Sequence, residues 1–331
     1  MRELIFANPA GNEVRAILDA EIDLEIGEVN TFEITMNRIG FTEAVPDKSR
    51  IFNPNTEFGG LIRRVRTSSA FNTITLGGYT WRGLLQKKVI QPPAGQDYAT
   101  VSGELNAVLF GIVEPEFDGL FKASIEDTGV EVTNYQFDRY CTMLDGLMKM
   151  LKSVDHRLRI RYIQEDHGNA GYVEIGAVPI ADYSSRIELS GDMRLNFIAE
   201  SVDDGVNHLI CLGDGELKNR IVKHLYVQAD GTIGDVPYFT GVDEIADVYD
   251  FPGADADVLD EYARETFKDL RSYQSFEMDV ESLNLEIEIG DIIGGRDYIT
   301  GIQMSKPITG KVWTYKNQIE NIEYTIEGDQ T

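Results

Sequence analysis

Residues 21–36 read EIDLEIGEVNTFEITM. Apolar and polar side chains alternate on both sides of an Ile-Gly-Glu-Val-Asn turn. A period of two residues is the mark of a half-buried strand, because successive side chains point to opposite faces of a sheet. Two such runs joined by a short Gly/Asn-containing turn predict a β-hairpin. The same reading extends outward. Residues 60–78 include LIRRVRTSSAFNTITLGG. Here Leu61, Arg63 and Val65 do not alternate cleanly, whereas Ile74 and Leu76 do, and Gly77-Gly78 is expected to end the strand. TWRGLLQKKVI is expected as a short helix or turn, and Pro92-Pro93 as a break.

From about residue 98 to 180 the character changes. SGELNAVLFGIV predicts a helix opening at Ser102, with Leu105, Val108, Leu109 and Ile112 as its apolar stripe. FKASIED and VEVTNYQ predict short strands. Residues 139–154, RYCTMLDGLMKMLKSV, predict a helix with Cys141, Leu144, Leu147, Met148 and Leu151 on one face and Lys149 and Lys152 in water. In RLRIRYIQ, Leu158, Ile160 and Tyr162 alternate with Arg157, Arg159 and Arg161, and YVEIGAVPI follows as a partner. This stretch predicts an α+β unit of helices on a small antiparallel sheet.

Strands return after about residue 185, in RIELSG, RLNFIAESV, NHLICLG and IVKHLYVQ, with QADGTIGD as a hairpin tip. Residues 242–255 are expected to form an acidic loop, and residues 256–272 a helix capped by Asp255 or Asp257 with Val258, Leu259, Tyr262 and Phe267 inside. In the tail, Leu283, Leu285, Ile287 and Ile289 alternate with polar residues, as do Ile322, Tyr324 and Ile326. Short strands punctuated by glycine suggest a small barrel. The order is therefore β-rich, α+β, β-rich.

Composition bounds the function. The 331 residues allow more than one domain, and Asp plus Glu (56) exceed Lys plus Arg (30), giving a formal net charge of −26. Such a field repels phosphates, so specific nucleic-acid binding is not expected. No apolar run approaches a membrane span. The opening MRELIFANPAGNEV has no charged segment followed by an apolar run, so synthesis in a bacterial cytoplasm without a secretory signal is expected.

Chemistry is hard to find. The histidines His156, His167, His208 and His224 form no HxH or HxxxH pair. His167 with Glu165 and Asp166 is the one metal-like grouping, and a strand followed by a polar turn is the preferred reading of it. No G-x-S-x-G elbow occurs. Cys141 and Cys211 both read as packed free thiols. Asp243, Glu244, Asp247, Asp250, Asp255 and Asp257 fit no calcium loop, and read as a solvated acidic stretch. GDGE at 213–216 and GDIIGGRD at 290–297 run from strand to strand, so they read as turns, not phosphate cradles. No catalytic residue, cofactor-binding residue, metal ligand or cofactor is therefore assigned. One cluster stands against the acidic background: Arg63, Arg64, Arg66, Arg82, Lys87 and Lys88. It reads as an interface for an acidic partner or an acidic face of a sister subunit.

YTWRGLLQKKVIQPP, SGELNAVLFGIV, YQFDRYCTMLDGLMKMLKSVDHRLRIRY, RLNFIAESVDDGVNHLICLGDGE and LEIGDIIGGRDYITGIQMSKPITGKVWTYKNQIENIEYTIEGD together resemble the siphophage Gp37-like tail proteins, which are similar to the baseplate hub of phage tails and contractile injection machines. The resemblance covers nearly the whole chain. It implies a mainly β fold with an α+β insert: a first tube-type β-barrel over 1–95 completed by 184–200, an insert over 96–183, and a second tube-type barrel over 201–331 that includes helix 256–272. It implies a structural role at the virion tail tip, not an enzyme: a homotrimeric ring capping the tail tube and adapting sixfold to threefold symmetry. The partners it implies are the tail tube or distal tail protein, the tape measure protein, and spike or receptor-binding baseplate proteins. Many relatives carry a further C-terminal hydrolase or receptor-binding region, and the end at Thr331 leaves none expected here. A peptidoglycan hydrolase, or an adhesin presenting Trp81 or Trp313, are the alternative readings.

Overall fold

In the computed structural model the described residues are 3–39, 41, 44–164, 170–184, 188–189, 196–202, 204–279, 287–296, 299, 301, 303–317 and 319–326. The chain divides into two compact units. The first comprises Met1–Asn196, Met278–Arg296 and Gln303–Glu327, and the second is built on Phe197–Glu277.

The first unit opens with β1 (Leu4–Ala7), β2 (Glu13–Ile17), β3 (Ala20–Ile26) and β4 (Thr31–Asn37). Strands β3 and β4 are the expected hairpin, in register from Ala20 opposite Met36 to Leu24 opposite Phe32. Ile22, Leu24, Ile26, Phe32, Ile34 and Met36 all lie on the buried face. Asn30 makes the turn with φ at 56°. Its carboxamide accepts from Gly27 N at 3.0 Å and donates to Gly27 O at 2.6 Å, the local bonding that lets Asn hold a left-handed backbone.

β5 (Arg50–Phe52), β6 (Gly59–Ser68) and β7 (Thr73–Thr80) follow. The broken alternation at 61–65 is a register shift between Ile62 and Arg64. Such a bulge re-aims the side chains beyond it, and Arg63, Arg64, Val65 and Arg66 all face solvent. Gly77-Gly78 does not end the strand, contrary to expectation. A Cβ on Gly78 would lie 2.0 Å from the Leu61 carbonyl oxygen, so the glycine is there to let β6 and β7 approach. Thr80 then caps α1 (Trp81–Gln86), its hydroxyl accepting from Gly83 N at 3.3 Å.

The middle stretch holds β8 (Thr100–Glu104), α2 (Leu105–Val113), β9 (Phe121–Ala123), β10 (Glu131–Gln136), α3 (Met143–Lys152), β11 (His156–Ile163) and β12 (Tyr172–Pro179). β11 and β12 pair antiparallel, β9 joins β12 in parallel, and α2 and α3 pack on this sheet. Helix α2 starts later than Ser102, which lies in β8; Glu104 is the cap and accepts from Ala107 N at 2.8 Å. Helix α3 is shorter than 139–154. Cys141 precedes it and Met148 faces outward, and Met143 and Met150 fill the buried face instead. The sequence favoured Cys141 because it sits at helical spacing, but Thr142 caps the helix just after it. Residues of this stretch share one core with the N-terminal strands. Tyr162 stacks on Phe52 at 3.8 Å and on Trp81 at 5.5 Å.

After β13 (Glu188–Leu189) comes the second unit: β14 (Asn196–Val202), β15 (His208–Leu212), β16 (Val222–Val227), β17 (Ile233–Gly234), β18 (Ala246–Asp250), α4 (Ala256–Leu270) and β19 (Tyr273–Asp279). Its four-stranded sheet runs β17-β16-β15-β18, and β14 pairs β19 separately. Leu259, Ala263 and Phe267 of α4 pack on Leu209, Cys211 and Leu225. The predicted loop at 242–255 instead contains β18, parallel to β15 from His208 opposite Ala246 to Leu212 opposite Asp250. An edge strand with mostly exposed side chains shows no alternation of polarity, which is why it reads as a loop. Asp255 caps α4, which ends at Leu270, and Val258 and Tyr262 are exposed on it, not buried.

β20 (Ile292–Arg296), β21 (Gln303–Lys316) and β22 (Ile319–Ile326) belong to the first unit. They extend its sheet in the order β13-β20-β21-β3-β4-β7-β6-β5-β1-β2, with β22 on β21. The C-terminal β-rich block is thus hydrogen-bonded to the N-terminal one. Ile287, Ile289, Ile322, Tyr324 and Ile326 are buried as their alternation predicts. Leu283 and Leu285 lie outside the described residues.

Candidate functional site

The six-residue basic cluster separates on folding. Arg64 bonds Glu33 at 2.6 Å and Arg66 lies on the exposed face of β6. Arg63, Lys87 and Lys88 converge, and Lys48 and Arg50 join them around a pocket of about 380 Å³ between β5, β6, α1 and the 116–120 turn. Lys88 pairs with Glu116 at 2.9 Å and Arg63 with Asp47 at 3.3 Å. Lys87 sits 5.2 Å over the Tyr79 ring. Among the described residues Arg50 donates only to neutral groups, at 2.7 Å to Gly171 O, 3.2 Å to Pro9 O and 3.4 Å to the Tyr162 hydroxyl. Its buried Nε has no protein acceptor.

Arg82 is not a surface residue. Its side chain is 3 % exposed, and Nε bonds Glu57 at 2.5 Å, itself 2 % exposed. Arg82 also donates to Leu158 O at 3.1 Å. Lys311, again 3 % exposed, approaches the same Glu57 carboxylate at 3.6 Å and contacts Glu288. A neighbouring pair repeats the theme: Asp291, 1 % exposed, accepts from Arg157 at 2.6 Å, Ala181 N at 3.1 Å and Glu288 N at 3.0 Å. These charges are paired and hydrogen-bonded, as burial requires. They tie α1, β11, β21 and the 287–291 turn together, which is a structural role. Nothing in the sequence spacing links Glu57 to Lys311, because β3–β21 pairing brings them together.

The second unit holds a grouping that histidine spacing missed. In the β15–β16 register His224 lies opposite Ile210, so His208 and His224 are diagonal neighbours on one face. His208 Nδ1 is 2.6 Å from Glu244, its Nε2 is 2.8 Å from His224 Nδ1, and Tyr226 stacks on it at 4.4 Å. With Asn207 donating to Asp243 O at 2.7 Å and accepting from Ile245 N at 2.9 Å, this row fastens residues 243–245 to β15. Of the remaining acidic stretch, Asp250 pairs with Arg220, and Asp255 caps α4. Among the described residues no three His, Cys, Asp or Glu side chains are placed to hold a metal. His167, Glu165 and Asp166 lie outside those residues. The segment 213–216 is a turn leading away from β15; of 290–297 only the start is a turn, since Ile292–Arg296 form β20, contrary to expectation. Among the described residues no helix is long and apolar enough to cross a membrane.

Neither thiol is poised as a nucleophile. Burial, then the Asp138 carboxylate, push the Cys141 thiol up, and burial takes Cys211 up to about 11. A thiolate is the reactive form, so both react slowly at neutral pH, and buried Cys211 is also shielded. Maleimide at pH 7.5 is expected to label partly exposed Cys141 slowly and Cys211 only after unfolding, read by peptide mass spectrometry. Trp81 and Trp313 are both fully buried, so neither offers a platform for a sugar.

Asp260 gives the second unit a pH dependence. Burial opposes its ionisation, but hydrogen bonds from Lys223 at 2.5 Å and Arg264 at 3.0 Å outweigh that and hold the carboxyl below its ordinary range. A carboxyl held low when folded contributes stability that is present above its unfolded value, about 3.9, and is lost as pH falls through the folded value. The unit is expected to lose urea resistance below about pH 4. Asp260→Asn is expected to flatten that limb, followed by the methyl NMR signals of Leu209, Leu225 and Leu259.

No protein-family model matches the chain. No curated protein matches it by sequence. Solved structures do. A chain of the phage P2 virion baseplate in its activated conformation superposes with a TM-score of 0.56 at 12 % identity, over all of both chains. The chain has the fold of phage tail and baseplate proteins. The 43 kDa tail protein of prophage MuSo2 from Shewanella oneidensis matches at 0.53 and 13 % identity, over 99 % of this chain and 97 % of that one. A tail protein from Neisseria meningitidis MC58 matches at 0.51 and 13 %, over 98 % and 97 %. This tail-protein fold therefore spans both units and is not confined to either.

Proposed function

We propose that the chain is a structural hub of a phage tail or a phage-derived injection machine, at the tail tip. The end-to-end match to tail and baseplate proteins carries this reading. The site chemistry agrees with it, since the buried charges are mutually paired and neither thiol is activated as a nucleophile. In this reading three copies form a ring that caps the tail tube, and each copy presents two related β-barrels to a sixfold tube. The first barrel would take residues 1–95 completed by 184–200, and the second residues 201–331 with helix α4. Heterologous contacts closing on a threefold axis build such a ring. Its neighbours would be the tail tube or distal tail protein, the tape measure protein, and spike or receptor-binding proteins. The acidic excess would line the channel, where a negative wall lets DNA pass without adsorbing.

The tail-associated hydrolase reading predicts a different result. On a peptidoglycan zymogram the purified chain is expected to give no clearing. Clearing that a single carboxylate substitution abolishes would replace the hub reading with the enzymatic one.

A further inference from the structure

The pocket around Arg50 has a charge surplus that the folded chain leaves open. Five cations line it, against Glu116 and Asp118. Glu116 is engaged by Lys88, and Arg63 has Asp47. Among the described residues, Lys48 and Lys87 have no carboxylate partner, and Arg50 is half-buried with neutral acceptors and an orphaned Nε. A guanidinium partly withdrawn from water is stabilised by an anion more than by carbonyls alone. The floor is apolar, made by Leu61, Leu84 and Leu120. The complementary ligand is therefore a carboxylate-bearing segment with apolar side chains between its acids.

The chain itself carries one. No Lys or Arg occurs from Leu225 to Ala263. Within this run Val236, Tyr238, Val242 and Val248 are exposed, Val242 by 98 %. Asp243 and Asp247 are exposed between them and have no ion pair among the described residues. In a chain of net charge −26, copies repel one another unless a basic surface meets an acidic one. We propose that the Arg50 pocket is a docking site for the acidic segment 236–248 of a second copy, with Lys48 and Lys87 meeting Asp243 and Asp247 and the apolar floor meeting Val242. The inference rests on the hub reading only in requiring that copies associate.

Cross-linking of two separately made full-length variants tests it. One carries Asp118→Cys at the pocket rim and the other Ala246→Cys in the acidic segment, each with Cys141→Ala and with Cys211 left in its core. The mixture is treated with a short bis-maleimide while light scattering follows association. The expected result is a cross-linked dimer several-fold above a Lys152→Cys control partner. The yield is expected to return to the control level in molar salt, where the screening length falls to about 3 Å, and when Lys48→Glu and Lys88→Glu are added to the pocket variant. Association with a yield no higher than the control overturns the docking site and leaves the hub reading standing. Absence of both association and cross-link overturns the docking site and counts against the ring as well.

Discussion

Glu57→Gln is expected to cost the first unit about 3–5 kcal/mol, the loss typical of breaking a buried ion pair from one side. The carboxylate is 2 % exposed and serves two cations, Arg82 and Lys311, each 3 % exposed. Removing its charge leaves Arg82 with neutral partners, the Leu158 carbonyl and the Met148 sulfur among them, and Lys311 with Glu288 as its carboxylate. Urea denaturation followed by tryptophan fluorescence is the measurement. Both tryptophans, Trp81 and Trp313, lie in the first unit, so the signal reports that unit alone. The triple variant Glu57→Leu, Arg82→Met, Lys311→Met removes the whole set and is expected to recover most of the loss, because no unpaired charge remains. A loss below about 1 kcal/mol for Glu57→Gln would mean that the cluster is solvated and weak, as surface pairs are.

Tyr162→Ala is expected to cost a similar amount, about 3–5 kcal/mol, by leaving a cavity where a large aromatic was. Tyr162 is fully buried between Phe52 and Trp81, and it is one of the core residues through which the middle stretch packs on the N-terminal strands. Tyr162→Phe keeps the ring and loses only the long contact from Arg50, at 3.4 Å. It is expected to cost no more than about 1 kcal/mol, the usual net worth of one hydrogen bond. If the two substitutions cost the same, the stack is not what joins the two stretches.

These two residues also show what can be read from a sequence. Tyr162 was legible as core because β11 alternates without a break from His156 to Ile163. The hairpin at 21–36 was legible for the same reason: period-two burial is written in consecutive residues. Glu57 and Lys311 were not legible, since their meeting depends on β21 pairing with β3 across most of the chain. His208 and His224 were missed because a two-strand register, not a spacing along one strand, makes them neighbours. β18 was missed because an exposed edge strand has no apolar face to announce it. Arg82 was grouped with Lys87 and Lys88 by proximity in sequence, although α1 turns it inward. The general lesson is physical. Local periodicity is set by burial of one element, whereas charge clusters are set by contacts between elements.

Electron microscopy of the intact particle, with this chain tagged in an exposed loop such as 229–231, tests the hub reading directly. The account predicts tag density in three copies around the axis at the tip of the tail tube, with the chain forming a closed threefold ring. Tag density elsewhere on the particle, a copy number that is not a multiple of three, or particles lacking the chain would contradict it.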